Sequence, residues 1–147
     1  MDQQTVEERY ENGNLKCQYG TKLGKRDGKF TQYNEDGTIF LECYYIDGKK
    51  NGEEKCYSSV EVTSMGNYID DKIEGDYITV NHKQNSRKIT KYKNGKRNGE
   101  EIVYYDGEKI YYKAYYIDGK LNGDYIKYDN NGIIVQKLKY KDEMIVY

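Results

Sequence analysis

The chain has 147 residues, of which 33% are charged, and its formal net charge is -1. A balanced charge argues against general electrostatic attraction to nucleic acid or to membranes, and no apolar run approaches the roughly 20 residues of a membrane-spanning helix. The polar, acidic start MDQQTVEERY is unlike a secretory signal. The three cysteines, Cys17, Cys43 and Cys56, lack CxxC spacing and fit reduced thiols. We therefore expect a cytoplasmic protein that neither spans a membrane nor binds nucleic acid.

A glycine-bearing turn recurs along the whole chain. The second glycine of each "DGKxNG"-like turn, which we call the anchor, falls at Gly28, Gly52, Gly75, Gly99 and Gly123, in steps of 24, 23, 24 and 24 residues. Repeat arrays commonly end in atypical caps. The spacing predicts one repeat domain over 1–147, with a half-repeat cap at 1–18, five hairpin units over 19–132 and a second half-repeat cap at 133–147.

Each unit has the pattern of a β-hairpin. Apolar and polar residues alternate, and glycine turns recur about every 8–12 residues, which favours strands over helices. Asp-Gly and Asn-Gly pairs, as in 105–108 and 11–14, are typical of tight hairpin turns. We predict a short strand after the anchor, a tight turn, a longer strand and then the "DGKxNG" turn. Five such units make an all-β, elongated, single-layer antiparallel meander.

Three columns of the repeat predict how the sheet packs. Tyrosine dominates the positions seven before and five after the anchor, and we interpret both columns as the core of the array. Small residues nine before the anchor would leave room for the rings; they are Cys43, Gly66, Thr90 and Ala114.

The pattern resembles the MORN repeat, in the variant form found in bacterial proteins and some large viruses. The matching stretches are YYIDGKKNGEEKCY, YKNGKRNGEEIVYYDG and YYIDGKLNGDYIKYDNNG. The classical repeat has a further glycine two residues after the anchor, where this chain has Phe30, Glu54, Tyr77, Glu101 and Tyr125. The resemblance implies a non-enzymatic binding protein, and variant-repeat bacterial proteins of this kind include antitoxins and immunity proteins.

No set of residues has the pattern of an active site. His82 is the only histidine and lies in an irregular turn without a paired Ser or Cys motif, so we interpret it as a turn residue and not a general base. Asp47, Asp70 and Asp118 share a turn column, where Asx side chains usually bond their own backbone; calcium binding is the alternative. We predict no enzyme, no cofactor and no metal site.

The basic stretch 83–97 is the strongest charge asymmetry, because no acid occurs from Tyr77 to Gly99. One interpretation is that the acidic turn 70–76 simply neutralises it. The other is that the strand docks an acidic partner, with Arg87, Lys91 and Lys93 on one face and Tyr92 on the other. Exposed tyrosines outside the columns are further binding candidates. The predicted partner-binding residues are Arg87, Lys91, Lys93, Arg97, Tyr44, Tyr112 and Tyr115.

Three functions follow as hypotheses. The first is a non-enzymatic module that blocks a toxin-like or effector-like protein through its sheet face, as an antitoxin, immunity or anti-defence protein would. The second is a binder of a small anionic ligand or lipid headgroup on the basic strand 87–97. The third is a structural spacer that assembles through its sheet edges.

Overall fold

The computed structural model describes residues 4–59 and 61–147. The regular structure of these residues is entirely β. The strands are β1 Gln4–Arg9, β2 Leu15–Lys22, β3 Lys25–Tyr33, β4 Ile39–Ile46, β5 Lys49–Lys50, β6 Gly52–Ser58, β7 Glu61–Ile69, β8 Lys72–Ile73, β9 Gly75–Asn81, β10 Ser86–Lys93, β11 Lys96–Tyr105, β12 Lys109–Ile117, β13 Lys120–Tyr128, β14 Ile134–Lys141 and β15 Met144–Val146.

The chain divides into two compact units, residues 1–72 and 73–147. In unit 1, strands β1, β2, β3, β4, β6 and β7 pair in that order, and β5 pairs with β4. In unit 2, strands β9 to β15 pair in chain order. Every pairing within a unit is antiparallel. The all-β antiparallel meander predicted from the repeat is therefore confirmed.

The turn at 105–108 is tight, as predicted, with three residues between β11 and β12, but two other turns differ from the prediction. The "DGK" turn is also tight: Asp47 (φ 51°) and Gly48 (φ 84°) both have positive φ, as a type I′ turn requires. The Asn-Gly loop at 11–14 is longer and closes through the Tyr10 N–H donating to the Asn14 carbonyl at 2.9 Å. Asp and Asn tolerate the left-handed region, so the turn needs glycine at only one of its two central positions.

Three of the five anchor glycines lie inside strands, whereas Gly52 and Gly75 are the first residues of β6 and β9. Gly28 is part of β3 and has a φ of 91°, and Gly99 is part of β11 with a φ of 113°. The ladder shifts register beside them, between Tyr19 and Thr21 and between Thr90 and Tyr92. Gly28, Gly99 and Gly123 therefore mark bulges, which glycine permits because it has no Cβ.

Most buried side chains of each unit lie on one face, which we call the core face; Thr31 of unit 1 is buried on the opposite face. In unit 1, Cys17, Phe30 and Cys43 are buried, and Tyr19 and Tyr45 pack against them. The Arg26 guanidinium lies 4.9 Å from the centre of the Phe30 ring, so its charge covers the aromatic cluster from outside.

The core face of unit 2 is built in the same way. Ala114 and Thr90 are 2% and 3% exposed, and the Tyr112 and Tyr125 rings stack at 5.4 Å between centroids. Cys43, Gly66, Thr90 and Ala114 are all buried, which confirms the prediction of a small-residue column. Tyr116 lies on this face, in register with Gly99.

The second tyrosine column does not belong to the core face. In unit 1 the Tyr57 hydroxyl donates to Glu42 at 2.8 Å, and Glu42 is in register with Thr31 on the opposite face. In unit 2 the Tyr104 ring lies under the Arg87 guanidinium. The prediction that both columns form one core is wrong, because their spacing of 12 residues includes a hairpin and a bulge that change the parity of the alternation.

Candidate partner-binding surface

Unit 2 carries a row of isoleucines on the face opposite its core face. The cross-strand register runs from Ile78 to Ile89, to Ile102, to Lys113, to Ile126 and to Lys137. Residues in register point to the same side of an antiparallel sheet, so these side chains form one line across six strands, about 25 Å long at the usual strand spacing. The isoleucines are half-buried within the sheet surface. We call this surface the isoleucine face.

Ion pairs lie along the isoleucine face, and two of their lysines, Lys113 and Lys137, belong to the row itself. Lys91 Nζ lies 2.9 Å from Asp76 Oδ1, Lys137 Nζ lies 3.6 Å from Asp124, and Lys113 Nζ lies 3.9 Å from Glu100. The hydrogen bond to Asp76 raises the pKa of the Lys91 ammonium, so this lysine stays charged. An apolar centre with a charged border is the usual anatomy of a protein–protein interface.

Four of the predicted binding residues lie on the isoleucine face: Arg87, Lys91, Lys93 and Tyr115. Tyr115 is 46% exposed and lies in register with Glu100. Arg87 is less available than predicted, because its guanidinium stacks 4.5 Å from the Tyr104 ring centre and donates to Glu108 at 2.9 Å.

Two predicted residues lie on the core face, which separates them from the other four. Arg97 is in register with Tyr92, its guanidinium lies 3.9 Å from the centre of the Tyr116 ring, and its Nη2 donates to the Gly119 carbonyl at 3.2 Å. The turn at Asn94–Gly95 places Arg97 on the opposite side from Lys91. Arg97 and Lys91 therefore lie on opposite faces of the sheet.

Tyr112 is also a core-face residue and is not an exposed anchor. Its hydroxyl donates to Glu101 Oε1 at 2.8 Å, and its ring packs on Tyr125. Burial and then the hydrogen bond to the Glu101 carboxylate raise the pKa of the Tyr112 phenol well above its usual range. The Tyr112 hydroxyl therefore supports the buried Glu101 carboxylate within the core face.

Tyr44 is the predicted residue in unit 1. It is 44% exposed on the face opposite the core face, in register with Lys29. Its neighbours there are polar: Lys29 lies 2.5 Å from Glu42, whose pKa is lowered by the hydrogen bond from Lys29. Burial and the hydrogen bond to Glu42 raise the pKa of the Tyr57 phenol to about 12. Tyr44 therefore stands at the edge of a polar network, with the exposed Ile46 on the same side of β4.

The acids of the turn 70–76 take up part of the nearby positive charge. In unit 2, Asp76 pairs with Lys91, and Glu74 accepts the Asn94 N–H at 2.7 Å. In unit 1, Asp71 accepts the Lys50 N–H at 2.7 Å. Local neutralisation of Lys91 and the Arg87–Glu108 pair both weaken the case for an anion site on strand 87–97.

The other candidates for chemistry stay apart. His82 lies in the exposed turn beside a shallow hollow of about 210 Å³ that Arg87 and Glu108 also line. Across residues 4–59 and 61–147, no group of three or more His, Cys, Asp or Glu side chains is placed to hold a metal ion. Asp47 instead accepts a hydrogen bond from Lys25 at 2.8 Å, an arrangement that fits a turn residue.

The isoleucine row is the feature that sequence reasoning missed. It occupies two columns of the repeat, three after and ten before the anchor. These columns hold Thr31, Lys55, Gln18, Glu42 and Met65 in unit 1, and Ile78, Ile102, Ile126, Ile89, Lys113 and Lys137 in unit 2. The same spacing that revealed the tyrosine columns would have found this change.

Three segments match the family model of the MORN repeat variant. They are residues 26–47 in unit 1 and residues 97–118 and 121–142 in unit 2. MORN repeats are generally non-enzymatic modules that bind proteins or membranes. No curated protein matches the chain. Within the described residues, the structure contains no helix long and apolar enough to cross a membrane.

Proposed function

We propose that this protein is a non-enzymatic repeat module that binds another protein through an exposed face of its sheet. The observation that carries the proposal is the contrast between the two faces of unit 2. The core face is covered by its own tyrosine rings, whereas the opposite face presents four isoleucines and Tyr115 to solvent. Exposed apolar patches with a charged border are typical of interaction sites.

The partner that we propose is a toxin-like or effector-like protein, which this chain would block by covering its surface, in the manner of an antitoxin, immunity or anti-defence protein. The proposal is supported by the sheet surface, which is broad enough to contact a protein and has no deep pocket for a small substrate along the described strands. The hollows along the described sheet are shallow. We propose a cytosolic location because a reducing compartment suits the free thiols of Cys17, Cys43 and Cys56.

The experiment is affinity capture from the native host with the folded protein as bait, followed by reconstitution with the purified candidate. A genuine partner binds the isolated protein at a fixed stoichiometry and loses its own activity when bound. The background control is bait that has been unfolded in urea and has not regained its native circular dichroism spectrum. If no protein is retained above that background, or if the retained protein does not bind in reconstitution, the proposal fails.

A further inference from the structure

We propose that the isoleucine face of unit 2 is the docking surface, and that its occupant is an acidic protein surface with an apolar centre. This inference rests on the proposed function and specifies the site and the chemistry of the partner. The juxtaposition that supports it is a line of Ile78, Ile89 and Ile102 on the adjacent strands β9, β10 and β11, which Ile126 on β13 continues beyond Lys113, in a unit whose charge is positive.

The apolar part of the site is larger than the row itself. Val80 lies two residues after Ile78 on β9 and pairs with Arg87, while Tyr104 and Tyr128 stand on the same side near the ends of β11 and β13. Half-buried aliphatic side chains that a partner covers completely gain further transfer free energy, about 25 cal/mol for each Å² of apolar surface removed from water. A partner that fits closely against these apolar side chains therefore gains binding free energy.

Charge decides which partner fits. Residues 73–147 contain fourteen Lys and Arg against eleven Asp and Glu, a net charge of +3, whereas residues 1–72 contain ten against fourteen, a net charge of -4. On the isoleucine face the acids Asp76, Glu100 and Asp124 each have a lysine within 4.0 Å. No residue that the structure describes makes an ion pair with Lys93 or Lys139, which stand on the same side of the sheet. The surplus cations favour an acidic border on the partner.

The test begins with a library of random dodecapeptides displayed on phage and selected against the full chain. Recovered peptides are synthesised and titrated by fluorescence polarisation against wild type and the double variant Ile89→Thr/Ile102→Thr. Threonine keeps the β-branched side chain that a strand favours, and matched circular dichroism spectra establish that the variant is folded. The control is Ile46→Thr/Ile69→Thr, which changes two exposed isoleucines of unit 1.

We expect the selected peptides to combine apolar residues with net negative charge. Their affinity should fall about tenfold or more in Ile89→Thr/Ile102→Thr, since the loss of two buried apolar groups costs at least about 1.4 kcal/mol. The control variant should bind as wild type does. Methyl NMR spectra of isoleucine-labelled protein should show the largest shifts at Ile78, Ile89, Ile102 and Ile126.

Other outcomes overturn the inference in distinguishable ways. Peptides that bind wild type and Ile89→Thr/Ile102→Thr equally would locate protein binding elsewhere and leave the proposed function standing. Recovery of basic peptides would refute the acidic partner. Recovery of no peptide above background would count against both proposals. If sedimentation velocity shows a concentration-dependent dimer that the double variant loses, the occupant of the face is a second copy of the chain and not an acidic partner. Binding to phosphatidylserine vesicles that the double variant loses would instead show that the occupant is a membrane.

Discussion

The two units share one repeat and one way of building a core, yet they differ on the face opposite the core. In unit 1 the two columns of that face are mostly polar, and charges pair there, as in Lys29 with Glu42 and Lys55 with Glu53. In unit 2 four of the six residues in the same columns are isoleucine. A repeat constrains the side chains that pack against the next strand pair, whereas the opposite face is free to vary. The difference therefore separates what folds the sheet from what the sheet offers to a partner.

The core faces also differ in one respect, which is how each unit accommodates a buried carboxylate two residues after the anchor. Glu54 is 5% exposed, forms an ion pair with the Lys50 ammonium and accepts a hydrogen bond from the Tyr68 hydroxyl at 3.1 Å. Glu101 is 3% exposed and accepts hydrogen bonds from the hydroxyls of Thr90 and Tyr112, both at 2.8 Å. Unit 1 balances the buried charge with a cation, and unit 2 balances it with hydroxyl dipoles.

Removal of the unit 1 carboxylate should have the largest effect on stability. We expect Glu54→Ala to lower the free energy of unfolding by about 3 kcal/mol, because it leaves the Lys50 ammonium without its counter-charge in a site shielded from water. The measurement is urea unfolding at neutral pH. Glu53→Ala is the matched control, since its half-exposed side chain pairs with Lys55 at the surface and should cost less than about 0.5 kcal/mol. Equal losses in the two variants would contradict the ion-pair account.

Removal of the unit 2 carboxylate should cost less. We expect Glu101→Ala to lower the free energy of unfolding by about 2 kcal/mol, because two hydroxyls lose their acceptor but no charge is left behind. Glu101→Gln, which keeps one acceptor oxygen, should recover about half of that loss. The control is Glu100→Ala on the isoleucine face, 3.9 Å from Lys113. If Glu101→Ala proves as costly as Glu54→Ala, the two units do not differ in the way that their contacts indicate.

The sequence predicted the fold well because the repeat carries its information in spacing. Glycines 24 residues apart identified the hairpins, and the small column correctly predicted the buried Cys43 and Ala114. The tightness of the "DGK" turn was missed because Asp47 accepts the left-handed conformation that glycine usually provides. Three of the anchor glycines form bulges within strands, a role that turn chemistry alone does not indicate.

The candidate surface was less accessible to sequence reasoning. Alternation correctly placed Arg87, Lys91 and Lys93 on one side of β10, but the tight turn and the bulge placed Arg97 on the other. The pairing of Arg87 with Glu108 joins residues 21 positions apart and depends on the rotamers that both side chains adopt. The isoleucine row was readable in principle, but it becomes conspicuous only when the cross-strand register aligns the columns.

A smaller effect is expected at Tyr57, whose hydrogen bond to Glu42 belongs to the polar face of unit 1. Tyr57→Phe should lower the free energy of unfolding by about 1 kcal/mol at neutral pH. The raised pKa means that the folded state favours the neutral phenol. The stabilisation is therefore complete below the unfolded pKa of about 10 and is lost as the pH rises through the folded pKa of about 12.

Urea unfolding of wild type and Tyr57→Phe at a series of alkaline pH values measures this dependence. The stability difference should be constant from pH 7 to about pH 9 and should shrink above about pH 10. Tyr44→Phe is the control, because Tyr44 lies on the same face and is 44% exposed. A difference that grew with pH would reverse the sign of the linkage and contradict the assignment of Glu42 as the acceptor.

The smallest effect is expected at Lys91, on the border of the isoleucine face. Its pair with Asp76 is solvent-exposed, with both side chains about half accessible. Exposed pairs contribute little because water screens the charges and the side chains lose conformational freedom, so Lys91→Ala should change the free energy of unfolding by less than about 0.5 kcal/mol. The measurement is urea unfolding at low and high salt, with Lys29→Ala on the polar face of unit 1 as the comparison. Glu42, the partner of Lys29, is only 21% exposed, so Lys29→Ala should cost more. A lysine that contributes almost nothing to stability, beside a row of half-buried isoleucines, is available for contact with a partner. A large loss of stability in Lys91→Ala would instead show that Lys91 is needed for the fold.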